Sequence, residues 1–398
     1  LRHLWLRAPL SPRQRRTIGR VVYRRTPWLL PAGQRPPAVD ADGLTPLILP
    51  APQDLPLPAA DGPPAVSVIV PVHNALAYTR LCLDALAAQT DIAFETIVVD
   101  DASSDSTPEV LGTRGDLRYL RNAANQGFVP SCNRGAAQAR GSVLLFLNSD
   151  ALLQPGALDT LAGTLRDASA CGLVGAQLRY PDGRLQEAGG LVWRDGAAWN
   201  YGRLDDPQRP RYRHGRDADY VSGAALAVRH DVFAAVGGFD TRYAPGYYED
   251  TDLAFAARRL GYRTRYQPDA QAWHVEGVSA GTDVADGGMK AYQTRNQKRF
   301  AAKWARALRA QPKYGDAPDR AADRRVAGRV LVIDAATPTP DRDSGSHDVY
   351  NYLRLLTEAG YRVTFVPDQT LAPHGAYTAA LQRLGVVCLH RPYIQDTR

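Results

Sequence analysis

The stretch Val66-Ser67-Val68-Ile69-Val70-Pro71-Val72-His73-Asn74 decides the fold. It follows the Pro63-Pro64 pair, runs apolar and largely β-branched, and ends in polar residues. A short apolar run bounded by turn signals reads as a strand buried on both faces, as in the interior of a parallel sheet. The pattern then repeats. Strands are expected at 66–72, 94–100 and 143–147, with a weaker one at 117–120, and helices between them near 75–89, 105–112 and 128–139. A further helix is expected at 155–168. Strands alternating with helices across short loops imply an α/β, Rossmann-like fold: a mainly parallel sheet with helices on both faces.

Farther on the pattern becomes mixed. Residues 172–225 are Gly-rich and aromatic, helices are expected near 231–236 and 250–260, and Lys290–Leu308 reads as a basic helix. After a polar break at Gln311–Ala327, a strand at Arg329–Asp334, a helix near 346–359 and a strand at Arg362–Val366 open a partial second βαβ domain. Its length is too short for a whole doubly wound domain. The expected organisation is a basic arm at 1–39, a Pro-rich linker at 40–65, a main domain at 66–310, a linker at 311–328 and the partial domain at 329–398.

The charge is unevenly placed. The formal net charge is +7, yet residues 1–39 hold nine Arg and no acid, so the remainder carries 7 − 9 = −2. The basic balance therefore belongs to the arm, and nucleic-acid binding by the main domain gains no support from it. Within the arm, Ile18, Val21 and Val22 are interleaved with arginines at helical spacing. It reads either as an amphipathic helix on anionic lipid, or as a solvated basic tail or a helix packed on its own protein. No apolar run approaches the roughly 20 residues of a membrane helix. Cys82, Cys132, Cys171 and Cys388 show no metal or disulfide spacing, and free thiols suit a reducing cytosol.

Open α/β sheets bind ligands beyond the carboxyl ends of their strands. The first expected strand ends in Pro71-Val72-His73-Asn74, and the second in Asp100-Asp101-Ala102-Ser103-Ser104-Asp105. Asn125-Gln126-Gly127-Phe128 opens the following helix, and Asn148-Ser149-Asp150 ends the 143–147 strand. Singly, each could be a turn or a helix cap, and Asp105 reads as a cap. Together they place polar and acidic groups along one sheet edge, the expected form of a nucleotide site. Neither GxGxxG nor GxxxxGK[ST] follows the first strand, which speaks against a dinucleotide or P-loop site.

These motifs, with Asn133-Arg134-Gly135, resemble a family 2 glycosyltransferase of GT-A fold. The later half agrees: Ser222-Gly223-Ala224, Val236-Gly237-Gly238-Phe239-Asp240, Glu249-Asp250-Thr251-Asp252-Leu253 and Trp273-His274-Val275-Glu276-Gly277-Val278-Ser279 follow in the family's order. The resemblance covers about residues 66–305. It implies an inverting transfer of a sugar from a nucleotide-diphosphate donor to a hydroxyl of a glycan or lipid-linked acceptor, in bacterial surface polysaccharide or O-antigen assembly. By the same resemblance Pro71, Val72, His73, Asn74, Asp100, Asp101, Asn125, Gly127, Phe128, Asn133, Arg134, Asn148 and Ser149 hold the nucleotide. Asp150 and His274 hold a divalent metal, Mn²⁺ or Mg²⁺, on the diphosphate. Asn148 stands where the strict pattern has an acid, which takes one charge from the metal's surroundings. Glu249-Asp250 matches a catalytic pair, with Asp250 as general base and Asp252 in support.

Uracil and thymine share an imide N–H, so UDP- and dTDP-linked donors both fit. A cytoplasmic protein, peripheral at the inner face of the plasma membrane through its basic arm, is the expected setting. A sugar nucleotidyltransferase would need a Gly-rich basic loop after the first strand, which Pro71–Ala75 is not. A noncatalytic sugar-nucleotide-binding scaffold is the other reading; intact Asp150, Asp250 and His274 speak against it. Residues 329–398 resemble the opening of a family 4 glycosyltransferase of GT-B fold, through Arg329–Asp334, Pro340–Ser346 and Tyr361–Val366.

Overall fold

A computed structural model describes residues 44–58, 62–89, 92–277 and 289–394. The basic arm at 1–39, and the membrane contact expected of it, lie outside the described residues.

The first half alternates as expected: β1 (Val66–Val72), α1 (Leu76–Ala87), β2 (Phe94–Asp100), α2 (Thr107–Leu111), β3 (Arg118–Arg121), α3 (Phe128–Ala136) and β4 (Val143–Leu147). Val66, Val68, Val70 and Val72 enter one apolar cluster, with Leu145 and Leu147 of β4 and Cys82, Leu83 and Leu86 of α1. Ile69, with Leu144 and Phe146 of β4, enters another, shared with α3. Successive strand residues face opposite sides, so a strand with apolar residues on both faces needs helices on both faces.

The strand order β3-β2-β1-β4 is parallel throughout. The chain leaves β1 toward β2 and β3, then returns to β4 on the other side of β1. The carboxyl end of β1 is therefore a topological switch point, where neighbouring loops diverge and leave a crevice.

The sheet continues in mixed directions. After β5 (Ala151–Leu153) and α4 (Ala157–Asp167) come β6 (Cys171–Arg179), β7 (Leu185–Glu187), β8 (Gly190–Val192), β9 (Ala198–Asn200), β10 (Arg216–Asp217) and β11 (Ala225–Arg229). Then follow α5 (His230–Val236), α6 (Glu249–Arg259) and the long β12 (Arg263–His274). β11 runs antiparallel between β4 and β6, and β12 is parallel to β6. β12 also pairs antiparallel with β5, setting His274 opposite Ala151. The mainly parallel expectation thus describes β1–β4, whereas the second half is mixed. β8 and β9 form a separate hairpin.

Two stretches expected as linkers are packed. Residues 47–57 have no regular structure, but Asp84 accepts the backbone N–H groups of Gln53 and Leu55 at 2.7 and 2.8 Å, and Asp116 accepts that of Leu57 at 2.8 Å. After α7 (Met289–Lys303) and α8 (Ala305–Leu308), the 311–328 stretch contains α9 (Pro318–Ala322) and lies against the β8–β9 side. There Arg194 N–H donates to the Pro312 carbonyl at 2.9 Å. A second parallel sheet, β13 (Arg329–Asp334), β14 (Arg362–Pro367) and β15 (Val387–Cys388), carries α10 (Ser344–Glu358) and α11 (Gly375–Leu384) with its own apolar cluster. Among the described residues, no helix is long and apolar enough to cross a membrane.

Candidate active site

A cavity of about 1170 Å³ opens at the β1 switch point and runs along the second half of the sheet. Pro71, Val72, His73, Asp101, Asn125, Gly127, Phe128, Asn148, Ser149, Asp150, Glu249, Asp250 and His274 line it. Asn74, Asp100, Asn133 and Arg134, expected in the same pocket, do not reach its walls; each is engaged within the protein.

The Asp100-Asp101 pair divides its work. Asp100 accepts the Ser103 N–H at 2.8 Å, the Tyr119 hydroxyl and the Arg121 guanidinium. Burial pushes its carboxyl up, but these donors outweigh burial and hold it below the ordinary range. Asp101, at the cavity wall, accepts the N–H groups of Gln126 at 2.9 Å and Gly127 at 2.7 Å, and the Asn122 amide at 2.7 Å. Asp101 therefore fixes the loop that opens α3. Gly127 has φ +91°, and a Cβ there would lie 2.3 Å from Pro245 Cβ, so no other residue fits.

Asn74 organises the same edge from behind. Its Oδ1 accepts the Ser104 N–H at 2.7 Å, and its own N–H donates to Ser103 Oγ at 2.8 Å. Asn133 bonds Phe239 twice, through Nδ2 to the carbonyl at 2.8 Å and Oδ1 from the N–H at 2.9 Å. Arg134 donates to the Arg121 carbonyl at 2.7 Å and to Asn122. Sequence motif alone cannot separate residues that build a loop from residues that face its ligand.

The β5–β12 pairing brings Asn148, Asp150 and His274 together. His274 Nε2 lies 3.2 Å from Asp150 Oδ1 and 3.2 Å from Asn148 Nδ2, and Nδ1 lies 2.9 Å from Gln186 Oε1. An Nδ1–H donated to Gln186 leaves the Nε2 lone pair facing a carboxylate oxygen. The Asn148 amide can donate to that lone pair, and the imidazole and the carboxylate offer two ligand atoms on one side of the cavity lining. The imidazole and carboxylate donors therefore fit a divalent cation such as Mn²⁺ or Mg²⁺. Among the described residues, no group of three or more His, Cys, Asp or Glu is placed to hold a metal alone. A cation here would need further oxygen ligands, which a diphosphate supplies.

In the same cavity lining, α6 starts with Glu249 and Asp250. The two preceding tyrosines have left-handed backbones, φ 72° at Tyr247 and 75° at Tyr248, which is a strained state for bulky residues. Surrounding contacts impose it. Asn296 of α7, fully buried, donates through Nδ2 to the carbonyls of Tyr243 at 2.8 Å, Gly246 at 3.0 Å and Tyr247 at 3.0 Å. The Tyr248 hydroxyl donates to the Gly196 carbonyl at 3.0 Å. Asp252 faces away and accepts from Lys303 at 2.7 Å and Trp304 Nε1 at 2.7 Å, fixing the end of α7.

Burial, then the Asp250 charge, push the Glu249 carboxyl well above the carboxylate range, and its Oε2 is buried without a partner. Asp250 is also raised by burial, against N–H donors from Gly223 at 3.0 Å and Thr251 at 2.6 Å. These donors favour ionised Asp250, so Glu249 is the member that keeps its proton. Glu187 on β7 adds a third buried carboxyl nearby. Burial pushes it up to about 8, despite the Ser222 N–H at 2.9 Å.

Gln186, Glu187 and Asn296 were not expected. Gln186 and Glu187 lie in the mixed Gly-rich region, and Asn296 lies in a helix whose basic residues dominate its reading. No local pattern marks any of them.

Residues 67–233 match the family model described as Glycosyl transferase family 2. A Mycobacterium tuberculosis N-acetylglucosaminyl-diphospho-decaprenol L-rhamnosyltransferase is 28% identical over 248 residues, covering 55% of this chain and 78% of that protein. The Myxococcus xanthus O-antigen biosynthesis protein RfbC is 32% identical over 233 residues, covering 56% of this chain. A Sinorhizobium fredii protein, y4gI, is 30% identical over 232 residues, covering 55% of this chain. The matches span only 18% of RfbC and 25% of y4gI. A crystal structure of GalNAc-T7 with UDP, GalNAc and Mn²⁺ shares the fold, with a TM-score of 0.51 at 15% identity, over 62% of this chain and 50% of that one. The fold is thus GT-A.

Proposed function

We propose that this chain transfers a sugar from a nucleotide-diphosphate donor, UDP- or dTDP-linked, to a hydroxyl of a glycan or lipid-linked acceptor, with inversion at the anomeric carbon. One observation carries this reading: a single cavity is lined by Asp150 and His274 and also by Glu249 and Asp250. Pro71–His73 and the loop Asn125–Phe128, fixed by Asp101, would receive the nucleoside. Asp150 and His274 would hold a divalent cation, which when bound neutralises charge on the departing diphosphate. Asp250 would take the acceptor hydroxyl proton while that oxygen attacks the anomeric carbon and the bond to the diphosphate oxygen breaks. Protonated Glu249 would keep a second negative charge away from the incoming oxygen.

The name of the mycobacterial relative, which specifies a diphospho-decaprenol acceptor, supports a lipid-linked acceptor here, and RfbC's supports surface-glycan assembly. A peripheral position at the cytoplasmic membrane face follows from that acceptor. The parallel sheet β13–β14–β15 supports reading 329–398 as the opening of a GT-B-like domain beyond a main domain at 66–310.

Thermal shift with UDP and dTDP, with and without Mn²⁺ or Mg²⁺, tests the site. Wild type should gain metal-dependent stability from one nucleotide, and Asp150→Ala should lose that dependence. No response to either nucleotide would overturn the reading. Folded Asp250→Asn with near wild-type turnover would remove Asp250 as base.

A further inference from the structure

The cavity is larger than the roughly 300–1,000 Å³ usual for one small-ligand site and extends well past the residues assigned to the donor. Part of its lining comes from elements that carry none of the motifs. Trp199 of β9 and Tyr314 line it, with ring centroids 5.1 Å apart and planes at 81°. Trp193 backs Trp199 at 4.9 Å. Tyr314 is 55% exposed. Beside this corner, Asp319 accepts the Tyr201 hydroxyl at 2.7 Å and pairs with Arg211 at 2.8 Å. Tyr201, Arg211 and Asp319 also line the cavity.

We infer that this corner is the subsite for a neutral pyranose of the acceptor, seated in the angle between the Trp199 and Tyr314 rings with its C–H face against one of them, and hydrogen-bonded by the Arg211–Asp319 pair. The inference rests on the proposed transferase reading. A pyranose has an apolar face of C–H groups rimmed by hydroxyls, which matches aromatic faces beside fixed donors and acceptors. Because Asp319 offsets the Arg211 charge, the corner suits a neutral sugar better than a phosphate. It is also tied to the chemistry. The β8–β9 hairpin that carries Trp199 accepts the Tyr248 hydroxyl at Gly196, directly before Glu249-Asp250. An acceptor held here would be registered against Asp250, not against the cation site. The corner needs Tyr314 and Asp319, both from the 311–328 stretch expected as a linker.

Saturation-transfer NMR on the full chain tests this, using methyl glycosides of glucose, galactose, N-acetylglucosamine and rhamnose as probes. At least one should bind wild type, with transfer strongest to its C–H face. Tyr314→Ala and Trp199→Ala should weaken it about tenfold, and Tyr314→Phe, which keeps the ring, should restore it. Thermal shift by UDP or dTDP should be unchanged in all these variants. No glycoside binding to wild type, undiminished binding to Tyr314→Ala, or a nucleotide response lost with Tyr314 would each overturn the subsite. The glycoside signal needs no donor, so a nucleotide-blind wild type that still binds glycosides would sink the transferase reading, and with it the acceptor role, and leave the corner as a sugar-binding site.

Discussion

Asp219 is the fastening between the sheet and the 311–328 stretch, and its removal has a calculable cost. Its side chain is fully enclosed. One oxygen meets Arg324 and Arg325, the other accepts the Val192 N–H at 2.9 Å, and Arg258 stands 4.0 Å away. Burial pushes the carboxyl up, but Arg325, Arg324 and Arg258 outweigh burial and hold it below its usual range. Asp219→Ala would leave these guanidiniums crowded with no counter-charge. Breaking a buried pair by deleting one partner costs about 3–5 kcal/mol. The arginine side chains keep 20–34% exposure and regain some water, so the low end applies, about 3 kcal/mol. At about 2 °C per kcal/mol for a domain of this size, the melting midpoint should fall by roughly 6 °C. Arg325→Ala leaves two cations on the carboxylate and should cost about 1 kcal/mol or less. Urea and thermal melts measure both, and limited trypsin digestion should show Arg324 and Arg325 newly cleavable in Asp219→Ala. A depressed carboxyl contributes stability that is complete above its unfolded value, about 3.9, and lost as pH falls through its folded value. The gap between wild type and Asp219→Asn should therefore close below about pH 4. If Asp219→Ala costs no more than Arg325→Ala, the anion is not the fastening and the reasoning fails.

Three further outcomes are expected. Glu187, raised to about 8, favours the folded state most below its unfolded value and loses that contribution as pH rises through about 8. Glu187→Gln keeps an acceptor for Ser222 and should stabilise the protein above pH 8 with little change below pH 4.5; equal effects at both would contradict this, as read by melts across pH. Asn296→Ala deprives the 243–247 carbonyls of a buried donor, at roughly 1–3 kcal/mol per orphaned group. With α6 no longer held, turnover should fall more than tenfold while the nucleotide-induced thermal shift persists; loss of that shift would mean Asn296 serves the donor side instead. Gly127→Ala meets Pro245 and a φ of +91° together. It should abolish nucleotide stabilisation and cost about 2 kcal/mol or more, and a normal nucleotide response would refute the placement of that loop.

What could be read in the sequence was what local pattern encodes. Val66–Val72 is apolar at every position but Ser67, so burial on both faces and a helix on each side followed from composition alone. The motifs at the ends of β1, β2 and β4 likewise pointed to one edge, because parallel topology sends their carboxyl ends the same way. Orientation was not legible. Asp100 and Asp101 are neighbours of one residue type, and only the fold turns one toward Tyr119 and Arg121 and the other toward the cavity. Long-range partners were equally hidden. Gln186 reaches His274 across 88 positions of sequence, and Asp319 meets Tyr201 across 118.

The 311–328 stretch shows why composition misled. Proline, glycine and charge there read as a solvated connector, yet two of its arginines neutralise a buried aspartate and its tyrosine faces a cavity. Polar composition reports the absence of an apolar face; it does not report the absence of a partner. A segment anchored by charge can therefore serve as a wall of the site, and its contribution is the one most exposed to pH and to Asp219→Ala. If the acceptor corner depends on that wall, acceptor binding should weaken in Asp219→Ala while the donor end, framed by β1–β4, keeps its nucleotide response. Parallel loss of both would mean that the two ends of the cavity are a single cooperative unit.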